Sequence, residues 1–373
     1  MLYVDLPTNT EIAALASDHG DIRVSIFLPT TPLTQDAQAD RIVLKNLAKE
    51  AARQLHEAGA DKRRSDELAE HLDDLIDDDE FWRFQARSLV ILATPERVRT
   101  FRVANALQPL VEVSDRFHLK PLLRAVTFPH AAYVLALAEN SVRLVEVSGE
   151  MPAVTAKVAG MPQDAASSVG KSSINDRSPS GRIHGSEGKK VRLRQYARQV
   201  DQALRGLLAG SDVPLILATN GALGEIFRSV NSYPRLAAGG IDGNPETLSD
   251  AELAERARSV LDGLHRQSIA AWADLFAARE AHGRATTDIA QAARAATFGA
   301  VESLLIDIDE SVPGTIDEGT GEITLAPQAG AKSYGVVDEI ARRVILSQGN
   351  VLGVRKDDIP HGKSLAAILR YPV

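Results

Sequence analysis

Apolar residues along this chain fall into short continuous runs and into stripes spaced three or four apart, and their order predicts alternating strands and helices. Residues 23–28 (RVSIFL) read as a buried strand stopped by Pro29, and 42–58 as a helix whose Ile42, Leu44, Leu47, Ala51 and Leu55 approximate the helical period. A second helix carries Leu68, Leu72, Leu75 and Ile76 on one face, strands follow at 88–94 and 99–103, and 110–123 ends in RFHLKPLL. These elements predict a first α/β domain over 1–128.

Apolar runs at 132–137 and 142–147, separated by Glu139-Asn140-Ser141, predict a β-hairpin. From 161 to 190 all periodicity is lost; Ser, Gly, Pro and charge dominate, and too little apolar area offsets ordering entropy. A disordered loop is predicted there. A helix starting near Lys189 follows, with Val191, Leu193, Tyr196, Val200, Leu204 and Leu207 on its apolar positions. Then come a strand at 214–218, a helix around Ile226, a loop over 237–246 and a long helix over about 249–280. This is the expected middle domain, 129–281. The remainder, 282–373, opens with Asp288 as N-cap and Gln291 three residues on, a capping-box variant. Stripes at Ile289, Ala292, Ala293, Ala296 and at Val336, Val337, Ile340, Ala341, Val344 alternate with strands at 301–308, 351–355 and 366–371. A compact α/β/α sandwich is expected. The fold class is therefore α/β, in three domains.

A length of 373 residues, 44% of them hydrophobic and 25% charged, suits a multidomain globular protein. Cysteine is absent, which excludes disulfides and thiolate metal sites and fits a reducing compartment. The start MLYVDLPTNTEIAALASDHGD has no basic stretch and no long apolar run, so no signal peptide is read there, and every apolar run is strand-length. A cytoplasmic protein that engages no membrane is expected. The net charge of −8 argues against broad nucleic-acid coating, DNA included, so charge is read by segment.

Several motifs dissolve on inspection. The triplets Gly170-Lys171-Ser172 and Gly362-Lys363-Ser364 suggest a phosphate loop, but the required earlier glycine is Ala165 in one case and Asp357 in the other. The GALG at 221–224 reads as a strand-to-helix turn rather than a dinucleotide fingerprint. Asp73, Asp74, Asp77, Asp78 and Asp79 read as a solvated helix face and end, and no metal site is assigned. The nine histidines form no ligand spacing, and His118 reads as structural. No cofactor is implied.

One segment stands apart. Between Lys171 and Arg194 there are seven basic residues against two acids, a net of +5 in an acidic chain. A positive arm suits phosphate-backbone contact, and a solvated loop with no ligand is the competing reading. Arg182, Lys189, Lys190, Arg192, Arg194 and Arg198 are the candidate RNA contacts, with Gly181, Gly185 and Gly188 as bending points. By contrast, 283–373 holds nine Lys and Arg against twelve Asp and Glu, and a protein partner is expected for it.

The ordered set VSIFLPT (24–30), FWRFQARSLVILATPE (81–96), FHLKPLL (117–123), AYVLALAENSVRLVEV (132–147), LRQYARQVDQAL (193–204), GNPE (243–246), TTDIAQAARAATFGAVESLLID (286–307) and AAILRY (366–371) resembles the bacterial relatives of archaeo-eukaryotic class I release factors and Pelota. The resemblance implies a middle domain of ribonuclease-H-like fold and a last domain like the Pelota C-terminal domain. In release factors the corresponding loop carries Gly-Gly-Gln, whose glutamine helps place the water that attacks peptidyl-tRNA. Here that loop reads SGRIHGSEGK (180–189), and Gly-Gly-Gln occurs nowhere in the chain. Gly239-Gly240-Ile241 lies too late and lacks the glutamine. The expected function is thus a ribosome-associated, tRNA-mimicking factor for rescue, stalling or hibernation, contacting ribosomal RNA without ester hydrolysis. A peptidyl-tRNA hydrolase using His184 or Glu187 instead, and a non-ribosomal interaction scaffold, are the alternatives.

Overall fold

The computed structural model describes residues 4–31, 37–128, 131–149, 152–168, 186–211, 213–310, 312–326 and 334–372. It divides into two compact units, one within 130–266 and the other formed by the described residues before 130 together with those from 267 on.

The N-terminal part of the second unit begins with helix α1 (Asn9–Ser17), whose cap Thr8 and Glu11 form a reciprocal capping box. Strand β1 (His19–Pro29) follows and does end at its proline. Helices α2 (Ala37–Glu57), α3 (Lys62–Asp77) and the single turn α4 (Asp79–Trp82) precede β2 (Ser88–Thr94), β3 (Arg97–Val103), β4 (Leu110–Arg116) and α5 (Lys120–Thr127). The sheet is antiparallel in the order β3-β2-β1-β4. On one face Val24, Ile26 and Leu28 of β1 meet Leu44, Leu55, Leu68 and Leu72, the helical stripes expected from spacing. Asp78 sits at the turn into α4, where its carboxylate accepts from the amides of Glu80 and Phe81. That run of acids is a helix end and cap.

The other unit holds β5 (Ala131–Leu137), β6 (Val142–Ser148), β7 (Val154–Ala156), α6 (Ala165–Ser168), α7 (Ser186–Leu208), β8 (Leu215–Thr219), α8 (Ala222–Val230), β9 (Leu236–Asp242) and the start of α9 (Asp250–Glu280). Its five-stranded sheet runs β7-β6-β5-β8-β9, with β6 antiparallel to β5, and β5, β8 and β9 parallel. Numbered within the sheet this is the order 3-2-1-4-5, the ribonuclease-H-like arrangement. Alternation along β5 feeds two cores: Tyr133, Leu135 and Leu137 pack under α7 and α8, while Ala132, Val134 and Ala136 face α9.

Two expectations change here. Residues 237–246, read as a loop, contain β9 over most of their length. A Gly-rich run has no strand propensity of its own; pairing with β8 imposes it, and a Cβ at Gly240 would lie 2.7 Å from the Leu217 carbonyl oxygen. The Arg228 guanidinium donates to the carbonyls of Ala237 at 2.8 Å and Gly239 at 3.4 Å, where the register between β8 and β9 shifts. The expected loop 161–190 is also helical at both ends, in α6 and in the first turn of α7.

The C-terminal elements are β10 (Ala285–Thr286), α10 (Ile289–Thr297), β11 (Val301–Asp307), β12 (Pro313–Ile316), β13 (Ile323–Leu325), β14 (Tyr334–Gly335), α11 (Val336–Leu346), β15 (Asn350–Val354) and β16 (Leu365–Leu369). The main sheet has the order β10-β16-β11-β15. Asp288 caps α10 as expected, accepting from the Gln291 amide at 2.8 Å. The Gln291 side chain, however, turns to the Thr286 hydroxyl rather than back to the cap.

The sheet is covered on one face by α10 and α11 and on the other by Ile269, Trp272 and Phe276 of α9. This is the expected α/β/α sandwich, with its second layer taken from a helix assigned by sequence to the middle domain. The division accordingly falls inside α9, after Arg266, rather than after 281. Residues 1–128 and 282–373, read as separate domains, form one unit because Phe27, Val90, Leu92 and Leu122 share a core with Ala293, Leu304, Ile340 and Val344.

Candidate nucleic-acid interface

The surface singled out by charge lies on α7. Leu193, Tyr196, Ala197, Val200 and Leu204 are buried, which turns the opposite face outward. Lys190, Arg194 and Arg198 recur every four residues and are all exposed, so they form one row along the helix. Val191 beside them is 52% exposed.

The start of the helix is tied to the β5–β6 hairpin. The buried Tyr196 hydroxyl donates to the carbonyls of Ala138 at 3.1 Å and Ser141 at 3.4 Å, the two ends of the hairpin turn. Burial pushes this phenol well above its ordinary pKa, which keeps it a neutral donor. Glu139 at the turn pairs with Lys189 across 2.8 Å, and its carbonyl accepts from the Ala165 amide of α6. The Gln199 amide donates to the Ser168 carbonyl at 2.9 Å. Ser168 and Ser186, the described residues on either side of 169–185, are thus held on one scaffold of hairpin turn, α6 and α7. Further along, buried Asp201 accepts from the amide and hydroxyl of Ser232 and from Arg205.

The six expected RNA contacts separate on this scaffold. Lys190, Arg194 and Arg198 share the exposed row, Lys189 is engaged by Glu139, and Arg192 is half-buried off the row. Arg182, His184, Gly181 and Gly185 lie outside the described residues. Glu187 is helical, in the first turn of α7, and so is Gly188, which is buried. Gly188 is therefore not a bending point: the packed first turn of α7 outweighs the roughly 1 kcal/mol intrinsic helix penalty of glycine. Glu139 and Tyr196, which position the row, were missed as functional residues. Their only sequence signal is a polar turn followed by a tyrosine on an apolar stripe. Among the described residues no group of three or more His, Asp or Glu is placed to hold a metal, and no helix is long and apolar enough to cross a membrane.

Comparison with known proteins bears on this unit. No curated protein sequence matches the chain. Among solved structures, S. cerevisiae Dom34, a translation termination-like factor interacting with Hbs1, is 11% identical, with 74% of this chain and 73% of that one covered and a TM-score of 0.43. Ribosome-bound archaeal Pelota is 15% identical over 77% and 78%, with a TM-score of 0.39. The archaeal termination factor aRF1 is 14% identical over 98% and 99%, with a TM-score of 0.22. The sequence model of one family matches residues 129–267, the ribonuclease-H-like unit almost end to end. That model is the one of bacterial archaeo-eukaryotic release factor family 11, so the unit carrying α7 and its basic row resembles that family.

Proposed function

We propose that this chain is a ribosome-associated, tRNA-mimicking factor that binds in or near the A site and acts in rescue, stalling or hibernation without hydrolysing peptidyl-tRNA. The observation that carries the reading is the row Lys190, Arg194 and Arg198, displayed on a buried-face helix next to the segment 169–185 in a unit of release-factor type. Cations on one rigid helix meet successive phosphates with little ordering entropy, while contacts to bases are not required. Absence of Gly-Gly-Gln from the full sequence removes the group that would place the hydrolytic water. The acidic stretch 283–373 is the face for a protein partner.

Co-sedimentation with ribosomes over a salt series tests the reading. Each phosphate contact adds about 0.7–0.9 to the slope of log affinity against log salt, so reversing the three charges flattens it by about 2–3. Between about 50 and 200 mM salt, that makes the wild-type loss roughly 20–40-fold larger than the variant's. An unchanged slope overturns the role of the row. Incubation with stalled ribosome–nascent-chain complexes is expected to free no peptide; release that depends on His184 or Glu187 would establish the hydrolase instead.

A further inference from the structure

A second cluster of ionisable groups lies in the other unit, and the proposed function makes no use of it. His118 follows β4, and its backbone amide donates to the Ser25 hydroxyl while its ring stands edge-on to Phe27, with centroids 5.8 Å apart. The side chain is only 9% exposed. Its Nδ1 lies 3.2 Å from Glu112 Oε2 on β4 and 3.3 Å from Asp338 Oδ1 on α11. One ring nitrogen thus faces two carboxylates from elements more than two hundred residues apart in sequence.

The surrounding charges do not neutralise this pair. Lys120 on α5 is 3.9 Å from Asp338 Oδ2, but its ammonium hydrogen-bonds to the Glu310 carbonyl. Arg116 and Arg342 point donors at Glu339. Both carboxylate oxygens of Asp338 are buried, and among the described residues neither receives a hydrogen bond. A Cβ at Gly335 would lie 2.2 Å from Asp338 Oδ2, so a side chain there would displace this carboxylate. The adjoining cavity, about 20 Å³, has room for about one water. With His118 neutral, two carboxylates face one ammonium at close range. One added proton balances them.

We propose that Glu112, His118 and Asp338 share a proton that clamps α11 to the β4–α5 segment, and that loss of this proton loosens the clamp. Burial pushes the Glu112 carboxyl above its ordinary value; Asp338 adds to the shift, while His118 and Lys120 oppose it. A carboxyl that titrates higher in the folded state adds stability at low pH, and that stability is lost as pH rises through the folded value. The clamp is therefore tight on the acid side and weakens above the ordinary glutamate range.

Urea unfolding of the full chain from about pH 4.5 to about pH 8 tests this, with wild type compared to Glu112→Gln and Asp338→Asn. Each variant carries an amide where the shared proton would sit. The wild-type unfolding constant is expected to rise several-fold with pH relative to either variant. Amide exchange of α11, corrected for intrinsic rates, is expected to speed up with pH in the wild type and stay flat in Glu112→Gln. A purely structural cluster would shift stability by the same factor at every pH. Parallel pH profiles for wild type and a folded Glu112→Gln overturn the proposal; should that variant fail to fold, the Asp338→Asn profile decides in the same way.

Discussion

Replacement of Glu339 probes the electrostatic centre that joins the two halves of the second unit. Its side chain on α11 has no exposed surface and accepts from Arg342 at 2.7 and 2.9 Å, from Arg343 at 2.8 Å, and from Arg116 of β4. Burial alone would push this carboxyl up, but the three guanidiniums, Arg342 first, pull it below its ordinary value. Glu339→Gln removes the charge and leaves three cations that are 9–13% exposed.

Breaking a buried ion pair by removing one partner costs about 3–5 kcal/mol. Part is recovered, because Arg343 also donates to the carbonyls of Ile316 and Asp317 and Arg342 to that of Ala16. An amide also still accepts. A loss of about 3 kcal/mol is therefore expected for Glu339→Gln, equivalent to a fall in midpoint of about 6–12 °C for a unit of this size. Glu339→Ala should cost more.

The pH dependence has a definite sign. A carboxylate with a lowered folded pKa contributes stability above its unfolded value of about 4.3 and loses it as pH falls through the folded value. The acid limb of wild-type unfolding should be steeper than that of Glu339→Gln. Calorimetry and urea titration of the full chain measure both. A loss under about 1 kcal/mol, the range of surface pairs, together with coincident acid limbs would refute the reasoning.

Other substitutions probe elements of both units. Gly240→Ala drives a methyl to 2.7 Å from the Leu217 carbonyl oxygen and should cost about 1–3 kcal/mol in urea unfolding, with β9 amides losing exchange protection. Tyr196→Phe removes the donor to Ala138 and Ser141, and should cost about 1 kcal/mol and weaken ribosome co-sedimentation only if the hairpin scaffold sets the pose of α7. Asp288→Ala removes the cap of α10 and should cost about 1 kcal/mol by thermal unfolding, with ribosome binding unchanged.

Most helices and buried strands were legible because their apolar positions repeat with the period of the element. The α3 stripe of Leu68, Leu72 and Ile76 is buried as spacing predicts, and 88–94 is β2 residue for residue. Strand β9 was not legible: LAAGGID has no strand propensity, and its conformation comes from a neighbour placed by the β8–α8 crossover. Nor could the basic residues of α7 be sorted. Charge counting favoured Lys189, Lys190, Arg192 and Arg194, whereas burial of Leu193 and Tyr196 turns Lys190, Arg194 and Arg198 into the exposed row.

The sequence by itself determined the α/β class, the hairpin, the basic segment and the lack of Gly-Gly-Gln, since composition and periodicity are local properties of the chain. Only the tertiary structure decided that the two chain ends share a core and that α9 supplies a layer of the C-terminal sandwich. It alone brought Glu112, His118 and Asp338 together. These depend on contacts between residues far apart in sequence, and such contacts exist only once the chain has folded and excluded water from between them.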